Sequence, residues 1–331
     1  MNGLRTLRTA ISPFLSTLLI FLVALAINFY LQRNLFEARI LNSNLRIFLP
    51  ALLLATGQAI VVIGGGIDLS VGAMVSMINA IIVTIIVPES SPGMIVAGLL
   101  IACAVGALAG SINGLAISYM RLQPIVTTYA TSFLFSGIAL WFLPRPGGSL
   151  PADVPRLYRD TFLGIPFAVY IILGIILVWL IIRATRYGQF LFAVGGKPEA
   201  AYSTGVPVNK MRWSTYALSG IFAALAAFAL TMSTGTGDPN IGNSMTLPSI
   251  VAVVLGGISL SGGRGSVIGA LLGVLILGLI RNIISFANVP TWWQTLVDAL
   301  IILVALAGPG LIRFIRERKK AVVAAKPVVS T

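Results

Sequence analysis

Ten stretches of apolar residues follow one another along the chain with polar connections between them. They run Pro13 to Leu31, Ile47 to Ile63, Val71 to Val87, Gly93 to Met120, Ile125 to Leu143, Pro166 to Ala184, Trp213 to Met232, Leu247 to Leu260, Val267 to Phe286 and Trp292 to Ile315. About 20 residues at about 1.5 Å each cross the roughly 30 Å hydrocarbon core of a bilayer as a helix. Lipid offers no hydrogen bonds, so the backbone of such runs must satisfy itself, and helices do that. The reading is an all-α polytopic membrane protein with about ten transmembrane helices, some interrupted at Gly-rich turns, forming a single transmembrane domain over residues 1–331. The balance of 57% hydrophobic to 9% charged residues agrees, since soluble domains carry about 25% charged residues. The triplet Ala24-Leu25-Ala26 resembles a signal-peptidase site. The apolar run continues through Tyr30, however, and the first helix is expected to be retained.

An even number of spans puts both termini on one side. Arg5, Arg8, the loop from Arg183 to Arg212, Arg264 and the C-terminal group Arg313, Arg316, Arg318, Lys319 and Lys320 all fall on that side, which the positive-inside rule makes the cytoplasm. Residues 1–12 then form a cytoplasmic N-terminus, 185–212 a cytoplasmic loop and 316–331 a basic cytoplasmic tail. The opposite side carries turns around Glu89 and Asp238 and a mixed loop with Arg145, Asp153, Arg156, Arg159 and Asp160. The loop Gln32 to Arg46 breaks the pattern, with three arginines against Glu37. The net charge of +13 is juxtamembrane, so nucleic acid is not an expected partner and membrane lipid is. A lone Cys103 and the absence of histidine exclude an intrachain disulfide and the usual zinc or copper ligand sets. No metal and no cofactor are expected in this chain.

The run Gly65-Gly66-Ile67-Asp68-Leu69-Ser70-Val71-Gly72 returns in altered form as Gly256-Gly257-Ile258-Ser259-Leu260-Ser261-Gly262-Gly263, with six of eight residues identical. The match reads either as an internal duplication, whose interrupted helices would mark a transport pathway, or as convergence of Gly-rich membrane turns. Asp68 is the most informative residue. A carboxylate at membrane depth costs about 2.5–3.5 kcal/mol and must be satisfied by protein. Its position suits an N-cap for a helix running on from Leu69, and intramembrane carboxylates are also gating or substrate candidates.

Within the 183–212 loop, Gly196-Lys197-Pro198-Glu199-Ala200-Ala201-Tyr202 through Gly205 reads as a short helix. Pro198 suits its first position, Glu199 the positive dipole end and Gly205 the C′ stop. Such a helix in a cytoplasmic loop suits docking of a soluble partner, or alternatively rests on lipid headgroups. No Gly-x-x-x-x-Gly-Lys-Ser/Thr phosphate loop exists, so this chain is not expected to hydrolyse ATP. Ser70, Gln58, Asn79, Asn113, Thr127, Thr128 and Thr131 are polar groups in or beside apolar runs. They serve as helix-to-helix glue or line a wet pathway. Trp292 and Trp293 suit an interfacial belt. Arg281 and Asp298 flank the turn at Asn288-Val289-Pro290 at similar depth and are expected to form an ion pair.

These motifs, in order, resemble the ribose/xylose/galactose-type permease family of bacterial ABC importers: Gly65 to Gly72, Ala193-Val194-Gly195-Gly196 through Gly205, and Leu255 to Gly263, extending to Trp293 and Gln294. The resemblance covers about Ile47 to Val304. It implies a membrane-spanning subunit in a bacterial inner membrane, paired with a second permease copy or paralogue. It also implies cytoplasmic ATPase subunits, where ATP and Mg reside, and an extracytoplasmic sugar-binding protein. Gly196 to Gly205 then looks like the family's coupling helix. Where the family often carries Glu-Leu-Asp-Ala, this chain has Thr246-Leu247-Pro248-Ser249, which leaves the exact substrate open. A monosaccharide or similar polyol leads. A nucleoside, a furanone signal or a branched-chain amino acid, an ATP-independent facilitator and a membrane enzyme are the other readings.

Overall fold

Apolar runs become helices wherever lipid leaves the backbone no other partner, and the computed structural model is helical almost throughout. It describes residues 2–287 with Pro290, Trp293, Leu296, Ala299, Leu300 and Leu303, and side chains from position 15 onward. The helices are α1 (Asn2–Leu31), α2 (Ala38–Ile63), α3 (Val71–Ile85), α4 (Pro92–Ser118), α5 (Pro124–Phe142), α6 (Asp153–Arg159), α7 (Phe167–Ala184), α8 (Arg186–Gly196), α9 (Pro198–Ser203), α10 (Val208–Thr234), α11 (Thr246–Leu255) and α12 (Val267–Phe286). Two-residue strands, Thr161–Phe162 and Ile165–Pro166, pair in antiparallel fashion between α6 and α7. Among the described residues, six helices are long and apolar enough to cross a membrane: α2, α4, α5, α7, α10 and α12. Shorter apolar helices cover Leu15–Leu31, Val71–Ile85 and Thr246–Leu255. Nine of the ten apolar runs thus fall on helices. The tenth, with Trp292 and Asp298, lies largely outside the described residues.

Boundaries differ from the sequence reading at three places. α2 starts at Ala38, so most of the expected Gln32–Arg46 loop is helical. Its first turns are polar and are held by Asn42 Nδ2 donating to the Arg159 carbonyl at 2.8 Å and Tyr158 donating to the Arg46 carbonyl at 3.0 Å. An apolar pattern marks only the part of a helix that meets lipid or core, not such a polar extension. The run Leu247–Leu260 is helical only to Leu255, because Gly257 adopts φ +77° and closes the helix. The 183–212 loop holds α8 as well as the expected short helix, since Leu191 and Val194 give α8 a buried face.

α2 forms the centre, with 78% of its apolar span buried against 17% for α7 at the rim. α3 lies deeper still, buried at nearly every position, among α4, α5 and α10. α1 packs on α12, where Asn28 Nδ2 donates to the Leu279 carbonyl at 3.1 Å. Cys103 packs at the edge of the core as a small, half-buried group. One end of the bundle gathers the C-terminal end of α2, α8, α9 and the turn at Gly262-Gly263, tied by Gly263 N–H donating to the Ile63 carbonyl at 2.8 Å. The other end gathers the start of α2, α6, and the segments 147–150 and 235–238, joined by the Gly147–Gly237 bridge.

α4 and α10 form the most extensive helix pair. Gly106, Gly110 and Gly114 recur every four residues, which lines them on one face. A Cβ at Gly106 would strike the Gly220 carbonyl, one at Gly110 the Tyr216 carbonyl and one at Gly114 the Trp213 backbone. Lipid supplies little hydrophobic drive between helices, so close backbone approach over small residues holds this pair by dispersion. Gly110→Leu is expected to destabilise the fold by about 1–3 kcal/mol through overpacking, whereas Gly174→Leu on α7, where a Cβ meets nothing within 4 Å, is tolerated. Thermal unfolding of the two detergent-solubilised variants measures the difference; equal midpoints would contradict the packing.

Candidate functional site

The site is built around the turn from α2 to α3. α2 stops because Gly65 takes φ +83°, with Gly66 N–H donating to Val61 at 2.9 Å and Gly65 N–H to Val62 at 3.0 Å, a Schellman cap. α11 ends identically, with Ile258 N–H to Val253 at 3.2 Å, Gly257 N–H to Val254 at 2.9 Å and Gly257 at φ +77°. The equivalent pairs are therefore Gly64 with Gly256 and Gly65 with Gly257, one residue out of step with the sequence match. Residue identity aligned the glycines as letters, while the positive φ decides which glycine plays which part.

After the cap the chain runs without helix from Gly66 to Ser70, and here Asp68 is fully buried. Its Oδ1 accepts from Ser70 N–H at 2.9 Å and Ser70 Oγ at 2.6 Å, and its Oδ2 from Ser219 Oγ of α10 at 3.2 Å. Asp68 is not itself the N-cap: the helix begins at Val71 and Ser70 holds the cap position. Leu69 N–H donates to Thr128 Oγ1 of α5 at 3.0 Å. The chain of bonds continues across elements. Asn113 Nδ2 of α4 donates to Ser70 Oγ at 2.8 Å, and Thr131 Oγ1 of α5 donates to Asn113 Oδ1 at 2.7 Å. One carboxylate thereby connects α3, α4, α5 and α10.

Five of the polar residues singled out from sequence meet in this network: Asp68, Ser70, Asn113, Thr128 and Thr131. Asn79 lies farther along α3 in a second cluster, donating to Thr231 Oγ1 at 2.7 Å and accepting from Asp238 N–H at 2.8 Å. Thr127 donates back to the Gln123 carbonyl of its own helix at 2.9 Å. Gln58 is fully buried, and neither end of its amide has a hydrogen-bond partner among the described residues. Arg281 lines a cavity of about 260 Å³ with Asn282, Ser244 and Ser249; its expected partner Asp298 lies outside the described residues. Sequence reasoning missed Ser219, Ser76 and Thr246. Ser76 Oγ accepts from Gly242 N–H at 2.9 Å, and Thr246 Oγ1 accepts from Gly72 N–H at 3.1 Å. Thr246 stands within the stretch where the chain departs from the family pattern, so its hydroxyl holds α11 against α3. Ser219 carried a signal, a hydroxyl inside an apolar run next to Gly220.

The expected short helix is present as α9. Pro198 is in its first turn, Gly205 takes φ +82°, and Val206 N–H to Ala201 at 3.1 Å with Gly205 N–H to Tyr202 at 3.0 Å closes it. Ala201 faces inward, while Glu199, Ala200 and Tyr202 are exposed or nearly so. α8 leads into it through Gly195 and Gly196. A Cβ on Gly195 would strike the Ile63 carbonyl, one on Gly262 would lie 2.5 Å from the Gly195 carbonyl oxygen and one on Gly263 2.5 Å from Gly196 Cα. Both glycine turns therefore touch the approach to α9 backbone to backbone. Tyr187 of α8 shares a hydrogen bond with Ser214 at 2.9 Å; burial raises its phenol above the ordinary pKa and this bond offsets part of the rise.

Asp68→Asn keeps an acceptor of the same shape, whereas Asp68→Leu leaves the Ser70 and Ser219 donors buried and unmet, at about 1–3 kcal/mol for each orphaned group. The leucine variant is expected to unfold well below the asparagine variant and to lose uptake. Matching melting midpoints for the Asp68→Leu variant and the wild-type protein would remove the carboxylate from the account.

The model of the family described as branched-chain amino acid transport system / permease component matches residues 40–306. The ribose import permease protein of Bacillus subtilis (strain 168) is 34% identical over 258 residues, covering 77% of this chain and 79% of the relative. The galactose/methyl galactoside import permease protein of Escherichia coli (strain K12) is 32% identical, covering 78% and 83%. The fructose import permease protein of Rhizobium meliloti is 34% identical, covering 79% and 75%. No solved structure matches the chain. A multi-pass helical membrane protein with this family match and these relatives belongs to the permease family of ABC importers that includes the ribose, galactose and fructose import permeases.

Proposed function

We propose that the chain translocates a monosaccharide or similar polyol as the membrane-spanning subunit of an ATP-driven importer in a bacterial inner membrane. The observation that carries this reading is the agreement of relatives named for ribose, galactose and fructose import over more than three quarters of the chain. The interior supports it. Apart from Asp68, the buried polar side chains among the described residues are hydroxyls and amides, groups that exchange hydrogen bonds with a neutral polyol. A branched-chain amino acid, named in the family description, carries two charges that call for charged partners. Asp68, the one buried carboxylate among the described residues, is already committed to Ser70 and Ser219. The network of Asp68, Ser70, Asn113, Thr128 and Thr131, with Gln58 and Asn79, is our candidate for the groups that gate or line the pathway.

On this reading α9 is the coupling helix, and Gly196 to Gly205 docks a cytoplasmic ATPase that holds ATP and Mg. Residues 185–212 are then a cytoplasmic loop, both termini are cytoplasmic, and ten helices span the membrane. Arg183, Arg186, Lys197, Lys210 and Arg212 around α8 and α9 favour that orientation. Two permeases and an extracytoplasmic binding protein complete the importer. The deciding experiment purifies the chain alone and with its ATPase and binding protein: the isolated chain is expected to hydrolyse no ATP, and the assembly to show sugar-stimulated turnover. Ala201→Pro removes the Ala201 N–H bond to the Lys197 carbonyl and breaks α9 at about 3 kcal/mol. It is expected to abolish co-purification of the ATPase while membrane insertion persists. Undiminished co-purification would move docking elsewhere.

A further inference from the structure

A cavity of about 470 Å³ opens at the end of the bundle that carries α8 and α9, between the Gly64–Gly66 turn, the α4–α5 connection and the start of α10. Its size falls in the range of about 300–1,000 Å³ typical of small-molecule sites. Arg121 and Arg212 both line it, with Ser118, Gln123, Asn209, Thr215 and Tyr216. Ser118 is 3% exposed, and its hydroxyl has no hydrogen-bond partner among the described residues. The other two buried hydroxyls are committed, Thr215 to the Arg212 carbonyl at 2.7 Å and Tyr216 to the Ile67 carbonyl at 3.4 Å. Neither guanidinium meets a carboxylate among the described residues, where the only ion pair is Arg156 with Asp153. No Asp or Glu lines the cavity.

The sign of the local field follows. The positive N-terminal ends of α5 and α10 and the negative C-terminal ends of α2 and α4 meet here and largely offset one another. The two guanidiniums decide the balance, and their planar forks match an oxyanion. Arg121 also sits at φ +58°, a backbone region uncommon for a non-glycine residue. We propose that this cavity binds a phosphate-type oxyanion, gripped by Arg121 and Arg212 with the Ser118 hydroxyl as a further donor. The phosphate belongs either to a soluble phosphate monoester or to a phospholipid headgroup at the membrane face.

The test is made on the purified full-length chain without ATPase, binding protein or sugar, so its outcome is independent of what the chain transports. Thermal unfolding in detergent is followed against inorganic phosphate, with chloride at matched ionic strength as control. It is repeated in nanodiscs of phosphatidylcholine with and without phosphatidylglycerol. A saturable rise in midpoint with phosphate alone, its apparent Kd weakened about tenfold or more by Arg121→Gln and by Arg212→Gln, establishes the site for a soluble phosphate. A rise only with phosphatidylglycerol, lost in the same variants, assigns it to a lipid headgroup. Ser118→Ala is expected to weaken either response less than the arginine changes do. If Arg212→Gln fails to fold, Arg121→Gln carries the test, because Arg121 is an exposed loop residue. Equal responses to phosphate and chloride, no response to either source, or responses unchanged in Arg121→Gln would overturn the proposal.

Discussion

A carboxylate at membrane depth has to be met by protein donors, and much of the inner architecture is arranged around meeting Asp68. Its three donors come from its own turn and from α10, and Ser70 passes the connection on to α4 and α5 through Asn113 and Thr131. α3 is thus fastened at its start to three neighbours. Its far half is fastened again by Ser76 and Asn79 to the segment after α10. With hydrogen bonds along its length, α3 can be short and almost wholly buried without leaving polar groups unmet.

A short helix at membrane depth also needs backbone that is not helical, and such backbone survives only inside protein. Gly65, at the head of the non-helical segment 66–70, and Gly262–Gly263, within 256–266, meet this condition by packing against each other and against the end of α8. The contacts among Gly65, Gly195 and Gly262–Gly263 are backbone on backbone. The same geometry explains why side chains are excluded there: a single Cβ would force the two glycine turns apart.

Apart from Asp68, the buried polar side chains among the described residues are hydroxyls and amides. Hydroxyls and amides bond equally as donors and acceptors and carry no net charge, so they can exchange partners with a hydrated neutral molecule at little electrostatic cost. The inward-facing glycines of α4 and the alanines of α10, meanwhile, make that pair a close-packed wall.

Much of this was legible in the residues themselves. The apolar runs locate nine helices because lipid and core both demand apolar faces, and Pro198 and Gly205 bound α9 because each residue has its own backbone geometry. Five members of the Asp68 network were visible as polar groups in or beside apolar runs, for the same reason: the membrane penalises them singly. What pairs with what was not visible. Asn79 and Thr127 look the same as Asn113 and Thr131 in sequence, yet only the latter join the network, Asn113 by donating to Ser70 and Thr131 by donating to Asn113, because reach depends on which helix faces are brought together. Ser219 joins Asp68 across 151 positions of chain, and the register of the two glycine turns follows backbone torsion rather than letter identity. Residue type determined which groups must find partners in a membrane; only the tertiary structure, by crossing distant helices at close approach, decided which partners they found.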